Sequence, residues 1–331
     1  MFRYIIKRLL LMIPTLLGIT FIVLLFITIT PGDPVRLLLG DQVSEEDKEA
    51  MREELGLNDP LGIRYANYIR NIFRGDFGRS VRTKRPVINE ILQRFKYSLR
   101  LVSISMVIAI LVGLPLGIYA ATHQYSWKDN AAIFGALFCV SMPSFWFALM
   151  LIQLLCVKLR ILPTSGVDTW QGWILPAFTG SLGFAATIAR QMRSNLLEVI
   201  RQDYITTARA KGQTEIKVLY KHALKNAVIP VIMTVGSIFG MAMGGSMISE
   251  VVFSIPGLGN YTVSALQSRD YPVIQTSVLF MSTLFAFVLL LIDITFAMVD
   301  PRIRAQYTRG KKKAEKGMRN ERNKEEKTIE T

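Results

Sequence analysis

The chain has 331 residues, a formal charge of +14 and 51% hydrophobic residues. A soluble nucleic-acid binder would space its apolar residues at helix or strand period and gather its basic excess on one folded face. Here the apolar residues stand in long blocks, which excludes nucleic acid as the partner and points to the lipid bilayer. The two His, 123 and 222, stand outside any HExxH or CxxC pattern, and there is no GxxxxGK[ST] run, so neither a zinc site nor an ATP site is expected in this chain. Cys139 and Cys156 lie about 25 Å apart if one helix carries both, beyond disulfide reach, and read as small buried hydrophobes.

A bilayer core of about 30 Å takes about 20 apolar residues in helical form, because hydrocarbon offers the backbone no hydrogen-bond partner. Six stretches qualify: 9–29, 101–121, 131–157, 170–189, 227–249 and 273–299. The first follows Arg3, Lys7 and Arg8, as a signal peptide would, but its length favours a retained anchor. The fourth is weakened by Pro176 and three glycines. Short-loop charge sets orientation. Three basic residues precede the first span, seven lie in 193–225 and eleven follow Val299, which places both termini in the cytoplasm of a multi-pass cell-membrane protein. The chain divides into a leader and first span (1–29), an outer segment (30–97), a membrane body (98–306) and a basic tail (307–331). The tail is polar and reads as disordered, either idle in solvent or resting on anionic lipid.

Within the outer segment, Ser44 as N-cap, Asp47 three residues on and Gly56 beyond the last turn outline one amphipathic helix. Asp59-Pro60 opens a second, with Ile63, Tyr65, Tyr68, Ile69, Ile72 and Phe73 as its apolar set. The pair reads as a small external cap over the mouth of the helix bundle.

The fifth span repeats glycine at 236, 240 and 244, one face of a helix where a second backbone can approach closely, either inside the subunit or at an interface or gate. Gly113 and Gly117 repeat the pattern in the second span. Met241, Met243 and Met247 border the groove and suit a core gap or an adaptable substrate path. Gly236, Gly240, Met241, Gly244 and Met247 are thus candidates for helix packing or the pathway. Asp293 is the only carboxylate well inside a span and is expected to pair with Arg302 or Arg304, while Glu250 sits at the outer edge of the fifth span. Ion-coupled carriers need buried ionisable relays. Their scarcity here points to an energy source outside the chain.

The stretch 193–225 is too polar to span and too long for a tight turn. The fourth helix continues into it through Leu196, Leu197, Val199 and Ile200. A short helix from Asp203 follows, kept thin by Thr207, Ala208 and Ala210 and stopped by Gly212 at positive φ. A second helix, 215–225, ends before Pro230. The thin helix can seat in a cleft of a cytoplasmic partner; otherwise the loop rests on lipid headgroups.

At these residues the sequence resembles the permease subunits of ATP-binding-cassette importers, in the dipeptide, oligopeptide and nickel family. Their signature is Glu-Ala-Ala, three residues, Gly, nine residues, Ile-x-Leu-Pro. Thr206-Thr207-Ala208, Gly212 and His222-Ala223-Leu224-Lys225 stand in that register, with Ala208, Gly212 and Leu224 matching. The departures follow the form of the peptide and nickel branch, ARAKG followed by HALKNAVIPV. Pro31-Gly32-Asp33-Pro34, GDFGRS (75–80), SMPSFW (141–146), LPTSG (162–166), SEVVFSIPGLG (249–259), RDYPVIQ (269–275) and DPRIR (300–304) are similar to family patterns too, so the resemblance runs over residues 1–306.

The resemblance implies an all-α membrane protein with six transmembrane helices, of type I importer permease architecture and not an enzyme. Its partners would be a second homologous permease, two cytoplasmic ATP-binding subunits that hold ATP and Mg, and an extracytoplasmic solute-binding protein. It casts Asp203, Tyr204, Thr206, Thr207, Ala208, Arg209, Ala210, Lys211 and Gly212 as the ATPase-coupling element. A short peptide is the expected substrate, with nickel or a metal chelate as the alternative. Outside the family stand an ion-coupled secondary transporter and a membrane sensor or scaffold.

Overall fold

The computed structural model describes residues 2–30, 35, 43–54 and 56–299. The tail, Pro31 to Pro34, Arg302, Arg304 and the DPRIR string lie outside the described residues. Among the described residues the regular structure is helical, apart from one antiparallel bridge between Arg79 and Pro86. The elements are α1 (Phe2–Ile29), α2 (Glu45–Glu54), α3 (Leu61–Phe73), α4 (Val87–Thr122), α5 (Trp127–Ser141) and α6 (Ser144–Leu151), which runs on into a π-helical turn, Ile152–Lys158. Then come α7 (Ile174–Ile200), α8 (Asp203–Ala210), α9 (Leu224–Gly245), α10 (Met247–Val252), α11 (Leu258–Ser268) and α12 (Tyr271–Val299). Among the described residues five helices are long and apolar enough to cross a membrane, and the α5–α6 pair, bent by 94°, makes six if it counts as one span.

That bend corrects the expectation of one rod over 131–157. Pro143 has no N–H to offer the Cys139 carbonyl, and it holds Met142 extended (φ −78°, ψ 130°), so the helix stops and restarts. Cys139 and Cys156 therefore do not share a straight helix; both thiols are free, and Cys156 Sγ donates to the Pro163 carbonyl at 3.3 Å. A second correction concerns 215–225. Glu215–Lys217 leads through a π-helical turn, Val218–Ala223, into α9, which passes through Pro230 without ending. Spanning helices tolerate an internal proline because neighbouring groups take up the freed carbonyl. The fourth span also proves secure, since Pro176 falls in the first turn of α7, where no N–H is needed.

In lipid, burying an apolar side chain gains little over leaving it in hydrocarbon, so close van der Waals contact decides which helices meet. The closest approach lies between α4 and α7. A Cβ on Gly113 would stand 2.6 Å from the Ala185 carbonyl oxygen, and one on Gly117 would stand 2.5 Å from that of Ala189. The glycines of α9 behave differently. Gly236 and Gly240 receive side chains of α12, Ile292 on the first and Phe285 and Val288 on the second, while Gly244 has nothing within 4 Å. Met247 is not on that groove; α9 ends at Gly245, and Met247 packs in α10 beneath Gly259.

Two ion-pair sites fix helix ends. Asp129, 1% exposed, accepts Arg193 Nε and Nη2 at 2.6 Å each and the Tyr125 N–H at 3.0 Å, tying the start of α5 to the tail of α7. Arg193→Met leaves that carboxylate buried without its cation, and should cost about 3 kcal/mol, read as a lowered melting temperature in detergent. Asp293 pairs with Arg8 of α1 at 3.1 Å, a partner remote in the sequence; the expected Arg302 and Arg304 lie outside the described residues. Glu250 lies just beyond the end of the fifth span, which stops at Gly245. It is fully buried in α10, accepting from the Asn260 N–H at 2.9 Å and the Ser246 hydroxyl at 2.8 Å.

At the end of the bundle far from α8, the Ser44 hydroxyl caps α2 by accepting the Asp47 N–H at 3.1 Å, and Gly56 closes it at φ 63°. α3 lies along α1, with the Tyr65 hydroxyl donating to the Leu17 carbonyl at 2.7 Å and its ring edge-on to Phe21. Ile63 and Phe73 stay exposed, so α3 flanks α1 more than it roofs the bundle. Burial, with the Glu90 carboxylate nearby, pushes the Tyr261 phenol up to about 12. The segment 75–86 is latched to the start of α12. Asp270, 3% exposed, accepts the Ser80 hydroxyl at 2.6 Å, the Val81 N–H at 3.2 Å and the Arg82 N–H at 3.4 Å, and the Thr276 hydroxyl donates to the Phe77 carbonyl at 2.9 Å. Asp270→Ala orphans these donors and should cost about 2–4 kcal/mol. Trypsin should then cut at Arg79, Arg82 or Lys84 far faster than in the parent, in a timed limited digest.

Candidate functional site

α7 runs past its apolar block to Ile200, and Gln202 turns extended (φ −77°, ψ 148°) so that α8 starts at Asp203, an acid in the first turn where the helix dipole favours it. At the other end Gly212 takes φ 74°, with its N–H on the Arg209 carbonyl at 2.9 Å and the Gln213 N–H on the Ala208 carbonyl at 3.4 Å, a left-handed cap. This is the conformation the sequence calls for at Gly212.

The eight-residue helix has two faces. Ile205 and Ala208 point inward and are buried in one cluster with Met192 and Leu196 of α7 and Ala223, Ala227 and Val231 of the α9 limb. Ala208 therefore serves the inner face and does not thin the outer one. Asp203, Tyr204, Thr206, Thr207, Arg209, Ala210, Lys211 and Gly212 are exposed. Side-chain ties fix the helix against the α9 limb. Arg209 donates to both Glu215 oxygens, Nε at 2.8 Å and Nη2 at 3.2 Å, and Asn226 Nδ2 donates to the Tyr204 hydroxyl at 2.8 Å. His222 Nε2 lies 2.8 Å from Gln213 Oε1. Just after α8, Ile216 and Tyr220 are 74% and 60% exposed, an apolar pair on a polar surface. Sequence reasoning passed over both; their four-residue spacing in an otherwise charged run was the available signal.

Two of the cavities among the described residues of the membrane body bear on the pathway. The larger, about 700 Å³, is bounded by α4, the α5–α6 break, α7 and the end of α9, and no charged side chain lines it. The smaller, about 430 Å³, is bounded by α1, α9 and α12, and holds Gly240, Gly244 and the Arg8–Asp293 pair. Met241, 69% exposed, borders both. Of the pathway candidates, Gly236 and Gly240 are covered by α12 side chains and Met247 packs on Gly259, so Met241 and Gly244 are the ones that meet open space.

Residues 113–305 match the family described as binding-protein-dependent transport system inner membrane component, and residues 1–102 match its N-terminal companion. The chain belongs to this family. The permease is 43% identical to the glutathione transport system permease protein GsiC of Escherichia coli (strain K12) over 304 residues, 92% of this chain and 99% of the relative. The counterpart from Salmonella typhi is 42% identical over the same shares. Among solved structures, an inward-facing MetNI methionine ABC transporter superposes with a TM-score of 0.56 at 18% identity, over 65% of the permease and 99% of that chain. An amino acid ABC transporter gives 0.50 at 14% identity over 65% and 94%. These two show the fold, that of type I importer permeases. The permease is thus a multi-pass inner-membrane subunit of an ABC importer and not an enzyme.

Proposed function

We propose that this permease carries short peptides across the cytoplasmic membrane, driven through α8 by separate ATPase subunits. The observation that carries the reading is the burial of Ile205 and Ala208 in the same core as α7 and α9. A loop resting on headgroups would be free to slide, whereas α8 is continuous with the spanning helices and would move them as one body. Its exposed face, with Tyr204, Thr206, Thr207, Arg209, Ala210 and Lys211, together with Ile216 and Tyr220, is the surface offered to an ATPase cleft. On this reading the α8 end and both termini are cytoplasmic. Two ATP-binding subunits holding ATP and Mg seat below, a second homologous permease completes the pathway, and an extracytoplasmic solute-binding protein delivers substrate.

Relatives named for transport of glutathione, a tripeptide, support a short peptide as substrate. The test is uptake by the assembled transporter in proteoliposomes, with labelled glutathione, a labelled dipeptide and nickel in parallel. Peptide uptake that needs ATP and the ATPase subunits supports the reading. Nickel uptake without peptide uptake, or uptake by the chain alone on a proton or sodium gradient, overturns it.

A further inference from the structure

The break between α5 and α6 leaves polar backbone inside the membrane body. Pro143 gives the Cys139 carbonyl no N–H, and Met142 N–H reaches the Phe138 carbonyl only at 3.3 Å, so the last carbonyls of α5 lack their helical partners. Across the two-residue gap α6 begins, and its first N–H groups are equally unmatched, the Phe147 N–H being the first to return, to Pro143, at 3.1 Å. Irregular backbone at membrane depth persists where it lines a watered cavity. The 700 Å³ cavity is that place: Cys139, Met142 and Ser144 border it at the break. Ser105, 2% exposed, lines the same cavity from α4, and its side-chain hydroxyl makes no hydrogen bond to any described residue. Ser249 adds a hydroxyl from α10.

Two helix ends of opposite polarity thus meet at one point, the negative end of α5 and the positive end of α6, with no charged side chain among the lining. The two linking residues, three steps of chain from Ser141 to Ser144, hold them about 10 Å apart at most. A net cation or anion would satisfy one end and offend the other. A zwitterion, with its ammonium toward the α5 carbonyls and the Ser105 hydroxyl and its carboxylate toward the α6 N–H groups, satisfies both. We propose that the α5–α6 break is a substrate station that reads the zwitterionic head of a peptide in transit. This rests on the peptide-importer reading and deepens it, since it names the chemical group that this chain contacts.

The native cysteines supply the test. Cys139 borders the cavity, whereas Cys156 is buried with its thiol on the Pro163 carbonyl. In the assembled transporter a charged, water-soluble methanethiosulfonate should modify Cys139 about tenfold faster than Cys156, because only a hydrated thiol ionises and reacts. Dialanine should slow that modification, and N-acetyl-dialanine amide, equal in shape but without either charge, should not. Ser105→Ala should leave the labelling rate alone and raise the dialanine concentration needed about tenfold, one hydrogen bond to an ammonium being lost. Pro143→Ala, which returns an N–H to Cys139 and lets α5 continue, should abolish protection.

Cys139 no more reactive than Cys156 means a cavity filled by lipid or by the second permease, and overturns the proposal. Equal protection by the blocked analogue, or unaltered protection in Ser105→Ala, does so too. If ATP-driven peptide uptake itself fails, the functional reading falls first; if uptake stands and selective protection does not, only the station is lost.

Discussion

Gly212→Pro should abolish ATP-driven uptake while leaving the permease inserted in the membrane. Gly212 sits at φ 74°, a region closed to proline, whose ring holds φ near −65°. The substitution also deletes the N–H that caps the Arg209 carbonyl. The chain must then leave α8 in a different direction, pulling Arg209 off Glu215 and lifting Ile205 and Ala208 from the core. The local cost is about 3 kcal/mol, and because the motor would push on a helix no longer packed against α7 and α9, uptake should fall about a hundredfold. Gly212→Asn is the control. Asparagine enters the left-handed region at a cost of about 1 kcal/mol and should keep most activity. Ala208→Trp should behave as the proline variant does, since Ala208 is 7% exposed and a large ring cannot enter without displacing α8. Uptake and ATPase co-purification in the same membranes decide the matter; normal uptake by both the proline and tryptophan variants refutes the coupling role.

Gly117→Leu should destabilise the permease outright. A Cβ there would lie 2.5 Å from the Ala189 carbonyl oxygen and 2.7 Å from Met192 Cβ, so α4 and α7 must separate along much of their shared length. Overpacking of this kind costs about 3 kcal/mol, and separation also forfeits the contacts that replace the hydrophobic effect in lipid. Membrane yield and detergent melting temperature should both drop sharply. Gly135→Leu, with nothing within 4 Å of its would-be Cβ, should be silent. Similar losses in the two variants would refute the account of the α4–α7 seam.

Much of this was legible in the sequence because hydrocarbon imposes simple rules. The apolar blocks located the spanning helices, and Gly212 announced its left-handed cap because few other residues adopt one. Ser44 and Gly56 marked both ends of α2 for equally local reasons. What escaped was pairwise. The glycine repeats of α4 and α9 look alike in one dimension, yet only the former meets another backbone, because α7 opposes it with Ala185 and Ala189 while α12 presents Ile292 and Phe285. Asp293 found Arg8, which is remote in the chain and adjacent only once α1 lies against α12. The broken α5–α6 pair was hidden because hydropathy sees Met142 and Pro143 as apolar and is blind to a missing N–H.

The latch between Ser80 and Asp270 joins residues 190 positions apart. A ribosome adding roughly 5–20 residues per second takes roughly ten to forty seconds to cover that interval. Throughout it the stretch around Phe77 waits without its partner, although the helices on either side of it are already in lipid. The newborn permease thus passes through a stage in which one of its surfaces is unfinished, and completion waits on arrival of the last helix. Quality-control proteases that survey half-made membrane proteins would meet their best opportunity there.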